Sequence, residues 1–144
     1  DWLYGGEPET IKTTILHGRT GAMPAWKASL GDEGVNQVTA FVLSLSGRQV
    51  DTVAAEAGKA KFGMFCAACH TPAGTGMTAM GAPNLTDNIW LYGGSPKAVA
   101  TSIAEGRAGQ MPPHQDFLGE AKVHLLAAYV YSLSQNPPAM GTAQ

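Results

Sequence analysis

Cys66-Ala67-Ala68-Cys69-His70 holds the only two cysteines of the chain, and the reading of this stretch decides the rest. Three chemistries compete for a Cys-x-x-Cys pair. A thioredoxin-like redox pair needs a preceding β-strand in a βαβ setting. Here the preceding residues, Thr52 to Phe65, are rich in Ala and Lys, poor in β-branched side chains, and predict a helix over about 52–66. A structural zinc site needs about four Cys or His ligands, commonly in two paired groups. The other histidines, His17, His114 and His124, form no such pair. Covalent attachment of a haem c fits best, because two thiols at this spacing meet the two vinyl groups of one porphyrin while the next residue, His70, reaches the iron.

Moving outward, Trp2-Leu3-Tyr4-Gly5-Gly6 recurs as Trp90-Leu91-Tyr92-Gly93-Gly94, an offset of 88. The offset holds without a gap through Gly18-Arg19 and Gly106-Arg107, Met23-Pro24 and Met111-Pro112, and Ser44-Leu45-Ser46 and Ser132-Leu133-Ser134. Of 46 pairs between residues 2–47 and 90–135, 21 are identical, which marks a tandem duplication. Carried back by 88, Cys66 and His70 fall at −22 and −18, ahead of Asp1. The expected organisation is therefore the C-terminal half of a first domain (1–47), a linker (48–52), one complete haem domain (53–136) and a tail (137–144). The first repeat's own haem motif would lie upstream.

Ser95-Pro96 is a helix start, with a hydroxyl N-cap and Pro at the first helical position, and Gly106 ends that helix. A short helical turn is expected near Thr86–Tyr92, a loop around Met111-Pro112-Pro113, and a last helix over about 119–134, stopped by Asn136-Pro137-Pro138. Glu7-Pro8 to His17 and Asp32 to Leu45 are the equivalent helices of the first repeat. No alternating strand of useful length stands out, so the class is all-α.

An electron carrier needs a second axial ligand opposite His70. The candidates are Met64, Met77, Met80, Met111, Met140, His114 and His124. Met64 falls on the helix before the motif and is expected in the core, while Met140 is in the tail. Met111 is favoured: it stands between two helices, Pro112 and Pro113 stiffen its surroundings, and the repeat preserves it as Met23. The repeat places Trp26 and Asn36 where His114 and His124 stand. Met77 and Met80 stay as alternatives, as does bis-histidine ligation. A thioether favours reduced iron and raises the potential. Arg107 and Arg19 suit a haem propionate, against the plainer reading of a solvated loop arginine. Trp90 and Tyr92 suit a haem wall or a bond to a propionate, with core packing as the plainer reading.

Composition sets outer limits. Of 144 residues, 44% are apolar and 14% charged, with a net charge of −2, which excludes both a disordered chain and a basic nucleic-acid binder. The best apolar runs, Phe41–Leu45 and Leu125–Leu133, fall far short of the roughly 20 residues that span a bilayer. No nucleophile–base pair, paired carboxylates or phosphate loop accompanies the cysteines. No chemistry beyond electron transfer is expected, and the chain is not an enzyme on its own.

The residues resemble class I cytochrome c. Gly58 and Phe62 stand eight and four places before Cys66, and the resemblance implies that they pack on an aromatic of the last helix, here Tyr129. Gly81-Ala82-Pro83-Asn84-Leu85 is similar to the family segment whose Pro carbonyl holds the proximal imidazole, which implies a His70–Pro83 hydrogen bond. A narrower resemblance covers nearly the whole chain. Gly81 to Asp87, Trp90 to Gly94 and Gly106-Arg107-x-Gly109-x-Met111-Pro112, with their first-repeat counterparts, resemble the di-haem subunit of cbb3-type cytochrome c oxidase. It implies one haem c here and a second in the full-length protein, where Met23 would be its ligand. It also implies an N-terminal membrane anchor missing from this chain, a place on the periplasmic side of the bacterial inner membrane, and partners among the other oxidase subunits. Electrons would arrive from a soluble cytochrome c. A subunit of another periplasmic dehydrogenase is one alternative, and a haem sensor or peroxidase with an open distal site is another. Without a haem helix of its own, the first half-repeat is expected to pack its apolar face on the complete domain or on another chain, or to stay partly disordered.

Overall fold

The computed structural model describes residues 2–135. The expected stop at Asn136-Pro137-Pro138, the tail 137–144 and Met140 lie outside the described residues. Seven helices and one 3-10 turn dominate: α1 (Pro8–His17), α2 (Lys27–Leu45), α3 (Thr52–Phe65), α4 (Ala67–His70), the 3-10 turn Thr78–Met80, α5 (Pro96–Glu105), α6 (Gln115–Leu118) and α7 (Glu120–Gln135).

Local chemistry explains the starts and stops. Asp51 caps α3, its carboxylate accepting from the Val53 and Ala54 amides at 2.9 and 3.1 Å. Ser95 caps α5 by accepting from the Ala98 amide at 3.2 Å, and Gly106 ends it at φ 72°. α2 breaks at Gly31, which is non-helical at φ 65° and parts a leading segment from Lys27 from the main helix, so the main helix begins where Asp32 was expected to start it. The repeat counterpart of Gly31, Gly119, at φ 74°, divides α6 from α7 in the same way.

Two expectations change. No helical turn forms over 86–92. Asn84 accepts from the Thr86 amide and Asp87 from the Ile89 amide, at 3.0 and 2.9 Å, so side chains take the local donors that a helix would use. And two five-residue strands, β1 (Arg19–Met23) and β2 (Arg107–Met111), pair in a small sheet where a loop around Met111 was expected. The fold remains mostly helical, as the class predicted.

The chain divides into two compact units that cut across the repeats. One is Gly21–Gly109; the other joins Trp2–Thr20 to the described residues from Gln110 to Gln135. In the first unit α2 lies along α3 and beside α5. Its core is Val35, Val38, Val42, Leu43, Phe62, Cys66, Val99 and Ile103. On α3 the buried residues Ala55, Gly58, Phe62 and Cys66 recur at helical spacing and form one stripe. In the second unit α1 packs on α7, burying Ile11, Val123 and Ala127. Within residues 2–47, Ile11, Val35, Val38, Val42 and Leu43 are buried within the chain.

Candidate functional site

Cys66 closes α3, and Ala67–His70 make one further helical turn, with the His70 amide bonding the Cys66 carbonyl at 3.0 Å. This turn presents Cys66, Cys69 and His70 together. Both cysteines are free thiols. Thr71 then takes φ 64°, an uncommon conformation for a non-glycine residue. Its hydroxyl accepts from the Thr75 amide at 3.1 Å, and the Gly76 amide returns to the His70 carbonyl at 3.0 Å. Gly76 allows that return, since a Cβ there would stand 2.5 Å from the Ala82 carbonyl oxygen. The doubled-back loop brings the Pro83 carbonyl to 3.1 Å from Nδ1 of His70.

Burial sets the chemistry of the three groups. Cys66 is 6% exposed and His70 8%. Removal from water, with a smaller push from Cys69, raises the Cys66 thiol to about 11. Burial lowers the pKa of His70 below its usual value, partly opposed by the Pro83 carbonyl. The imidazole is therefore held neutral, with Nδ1 occupied by the carbonyl acceptor and Nε2 as the nitrogen available to a metal.

Around this turn, Trp90 packs against the core cluster with the Arg48 guanidinium over its ring at 5.4 Å. Its indole N–H is buried and has no protein acceptor. Tyr92 is exposed, and Arg107 stacks on it at 4.5 Å while donating from Nε to the Ser102 hydroxyl at 3.0 Å. Among the described residues Arg107 forms no ion pair. The first repeat copies this arrangement: Arg19 lies over Tyr4 at 4.6 Å and bonds Thr14 at 2.9 Å.

Cys66, Cys69, His70, Pro83, Trp90, Tyr92 and Arg107 all belong to the Gly21–Gly109 unit, and Met111 belongs to the other. Met23, in contrast, packs on the cluster that contains Cys66. Met64 is 70% exposed on α3, not in the core, because its helix position faces away from the buried stripe. Tyr129 is 61% exposed; Phe62 meets Phe41, the counterpart of Tyr129 88 residues earlier, at 5.1 Å between ring centroids.

The donor set fits a haem c. It combines two thiols and a neutral, oriented imidazole on one turn with an unsatisfied buried N–H nearby. Among the described residues no three His, Cys, Asp or Glu side chains converge. A family profile described as "Cytochrome C oxidase, cbb3-type, subunit III" matches residues 2–42 and 53–130. This chain belongs to that family.

Relatives agree with the match. The chain is 48% identical over 136 residues to the cbb3-type cytochrome c oxidase subunit CcoP of Rubrivivax gelatinosus, covering 94% of this chain and 44% of that protein. It is 40% identical to CcoP of Cereibacter sphaeroides, covering 92% of this chain and 50% of the relative. It is 39% identical to subunit FixP of Sinorhizobium medicae, covering 92% and 49%. The chain thus spans about half the length of the curated relatives it matches. Among the described residues, no helix is long and apolar enough to cross a membrane.

Proposed function

We propose that the chain carries one covalently bound haem c and moves single electrons within a cbb3-type oxidase, from a soluble cytochrome c toward the catalytic subunit. Cys66 and Cys69 supply the thioether sulfurs and His70 Nε2 one axial bond, with Pro83 fixing the ring. The other axial bond comes from a Met-Pro methionine, Met111 in the sequence reading. Trp90 and Arg107 offer donors to propionates, and Tyr92 flanks Arg107. A haem c with both axial positions filled supplies a one-electron couple with little rearrangement. The chain's own part is to hold the imidazole neutral and to shield the thioether side within the Phe62 core. It is not itself catalytic. The longer protein would add a second haem and a membrane anchor on the periplasmic side of the inner membrane.

One observation carries this reading: a buried His70 whose Nδ1 meets a carbonyl at 3.1 Å, on the same turn as both thiols. The dehydrogenase alternative finds no support in relatives named as cbb3 oxidase subunits. The test is mass spectrometry of chain produced in cells able to attach haem c. A mass increase of one haem should survive denaturation and vanish when both cysteines are replaced by alanine. A bare chain from such cells would end the proposal.

A further inference from the structure

We infer that Thr71 is a positioning residue for the His70 imidazole: it holds a strained backbone so that its hydroxyl can close the loop that keeps the Pro83 carbonyl on Nδ1. The inference rests on the haem c reading and adds to it the residue that fixes the ring's outer hydrogen bond.

A backbone outlier carries it. Among the described residues Thr71 is the one non-glycine with positive φ. It ends α4 at φ 64° and ψ 158°, a region that is nearly glycine-only and is held by other residues only when their surroundings force it. The chain takes the same turn at four glycines: Gly18 at 70° and −174°, Gly31 at 65° and 176°, Gly106 at 72° and −177°, and Gly119 at 74° and 158°. The turn directly after His70 uses threonine instead.

What threonine supplies, and glycine lacks, is the hydroxyl. Thr71 Oγ1 accepts from the Thr75 amide at 3.1 Å and lies 2.8 Å from the Thr75 hydroxyl. With the Gly74 amide donating to the Thr71 carbonyl at 3.1 Å, these bonds close residues 71–75 into a tight loop. Its far end is tied both to the Pro83 segment and to the histidine. The Leu85 amide donates to the Gly74 carbonyl at 2.7 Å, and the Gly76 amide to the His70 carbonyl at 3.0 Å. Pro83, two residues before Leu85, thereby stands 3.1 Å from Nδ1. Gly74 is buried so tightly that a Cβ there would come to 2.6 Å from the Leu45 side chain, so the loop has little room to shift without moving its partners. Thr75 is exposed, and water can satisfy its groups when the Thr71 hydroxyl is gone. The hydroxyl thus acts on geometry more than on stability.

A carbonyl on Nδ1–H makes an imidazole a stronger electron donor through its other nitrogen, which favours oxidised iron. Loosening that bond therefore raises the reduction potential.

The experiment uses the haem-loaded chain, with one covalent haem first confirmed by mass; failure at that step sinks the haem reading itself. Thr71→Gly removes strain and hydroxyl together, Thr71→Val removes the hydroxyl and keeps the shape, and Thr71→Ser keeps the hydroxyl. Two measurements read the effect: solvent exchange of the His70 Nδ1 proton, followed by NMR in the reduced protein, and the reduction potential. In Thr71→Gly and Thr71→Val the proton should exchange about tenfold faster, the loss of one hydrogen bond's protection, and the potential should rise. Thr71→Ser should match the parent in both. Thr71→Gly should also melt close to the parent, because relief of strain offsets the lost bond. Parent-like exchange or potential in Thr71→Gly, or a change of either in Thr71→Ser, overturns the inference. Melting of Thr71→Gly far below the parent overturns it too, since Thr71 would then serve stability alone. If Thr71→Val fails to fold, the glycine and serine variants decide.

Discussion

A thiolate, not a thiol, attacks an alkylating reagent, and Cys66 holds its proton because its sulfur is buried on the α3 stripe. At pH 8 a thiol raised to about 11 is ionised in about one molecule in a thousand. Cys69 is half-exposed on the next turn. In the haem-free chain, iodoacetamide at pH 8 should therefore label Cys69 well before Cys66, read by mapping the modified peptides. In the haem-loaded chain neither should react, since both sulfurs are consumed. Equal labelling without haem would mean that α3 leaves the core when the porphyrin is absent. The residues of this turn were the most legible part of the sequence, because the Cys-x-x-Cys-His spacing itself encodes the chemistry. The Pro83 carbonyl came only through family resemblance. Thr71 was missed: nothing in Thr71-Pro72 announces a residue at φ 64°.

Between helices the deciding contact is a close crossing. Gly58 sits mid-helix on the buried face of α3, and the Gln37 carbonyl of α2 occupies the space a Cβ would need. Alanine is favoured over glycine in a helix by about 1 kcal/mol, but overpacking a tight contact costs about 1–3 kcal/mol. Gly58→Ala should therefore be destabilising on balance. Gly63, on the exposed side of the same helix, meets nothing within 4 Å, so Gly63→Ala keeps only the helix term and should stabilise by up to about 1 kcal/mol. Urea unfolding of the two variants checks both signs; equal effects would place α3 in a looser contact than the one described. Helix starts at Pro8 and Pro96 and stops at Gly18 and Gly106 were readable because Pro and Gly act locally. The two strands were not, since Arg-Thr-Gly-Ala-Met and Arg-Ala-Gly-Gln-Met carry no β-branched alternation.

At the scale of the whole chain, the duplication that made the sequence readable also hid its pairing. α2 and α7 descend from one repeat and carry matching residues, Val38 with Leu126, Phe41 with Tyr129 and Leu45 with Leu133, so apolar pattern alone cannot say which helix covers α3. The expected partner of Phe62 was Tyr129. Instead Phe41 meets it at 5.1 Å and 58°, in a core with Val38 and Val42, and Tyr129, Leu126 and Leu133 stay exposed on α7. This division makes a paired prediction. Phe41→Ala removes a half-buried aromatic contact and should cost about 2–3 kcal/mol, somewhat below the value for a full core phenylalanine. Tyr129→Ala, at an exposed position, should change stability by no more than about 0.5 kcal/mol. A chain lacking residues 1–47 has lost α2, and α7 is the one remaining helix with the matching face. In that shortened chain the sensitivity should move to position 129, and Tyr129→Ala should become the costly substitution. Denaturation curves of the intact and shortened chains, each with and without the change at 129, read this directly. A large cost for Tyr129→Ala in the intact chain would show that α3 selects α7 even when α2 is available.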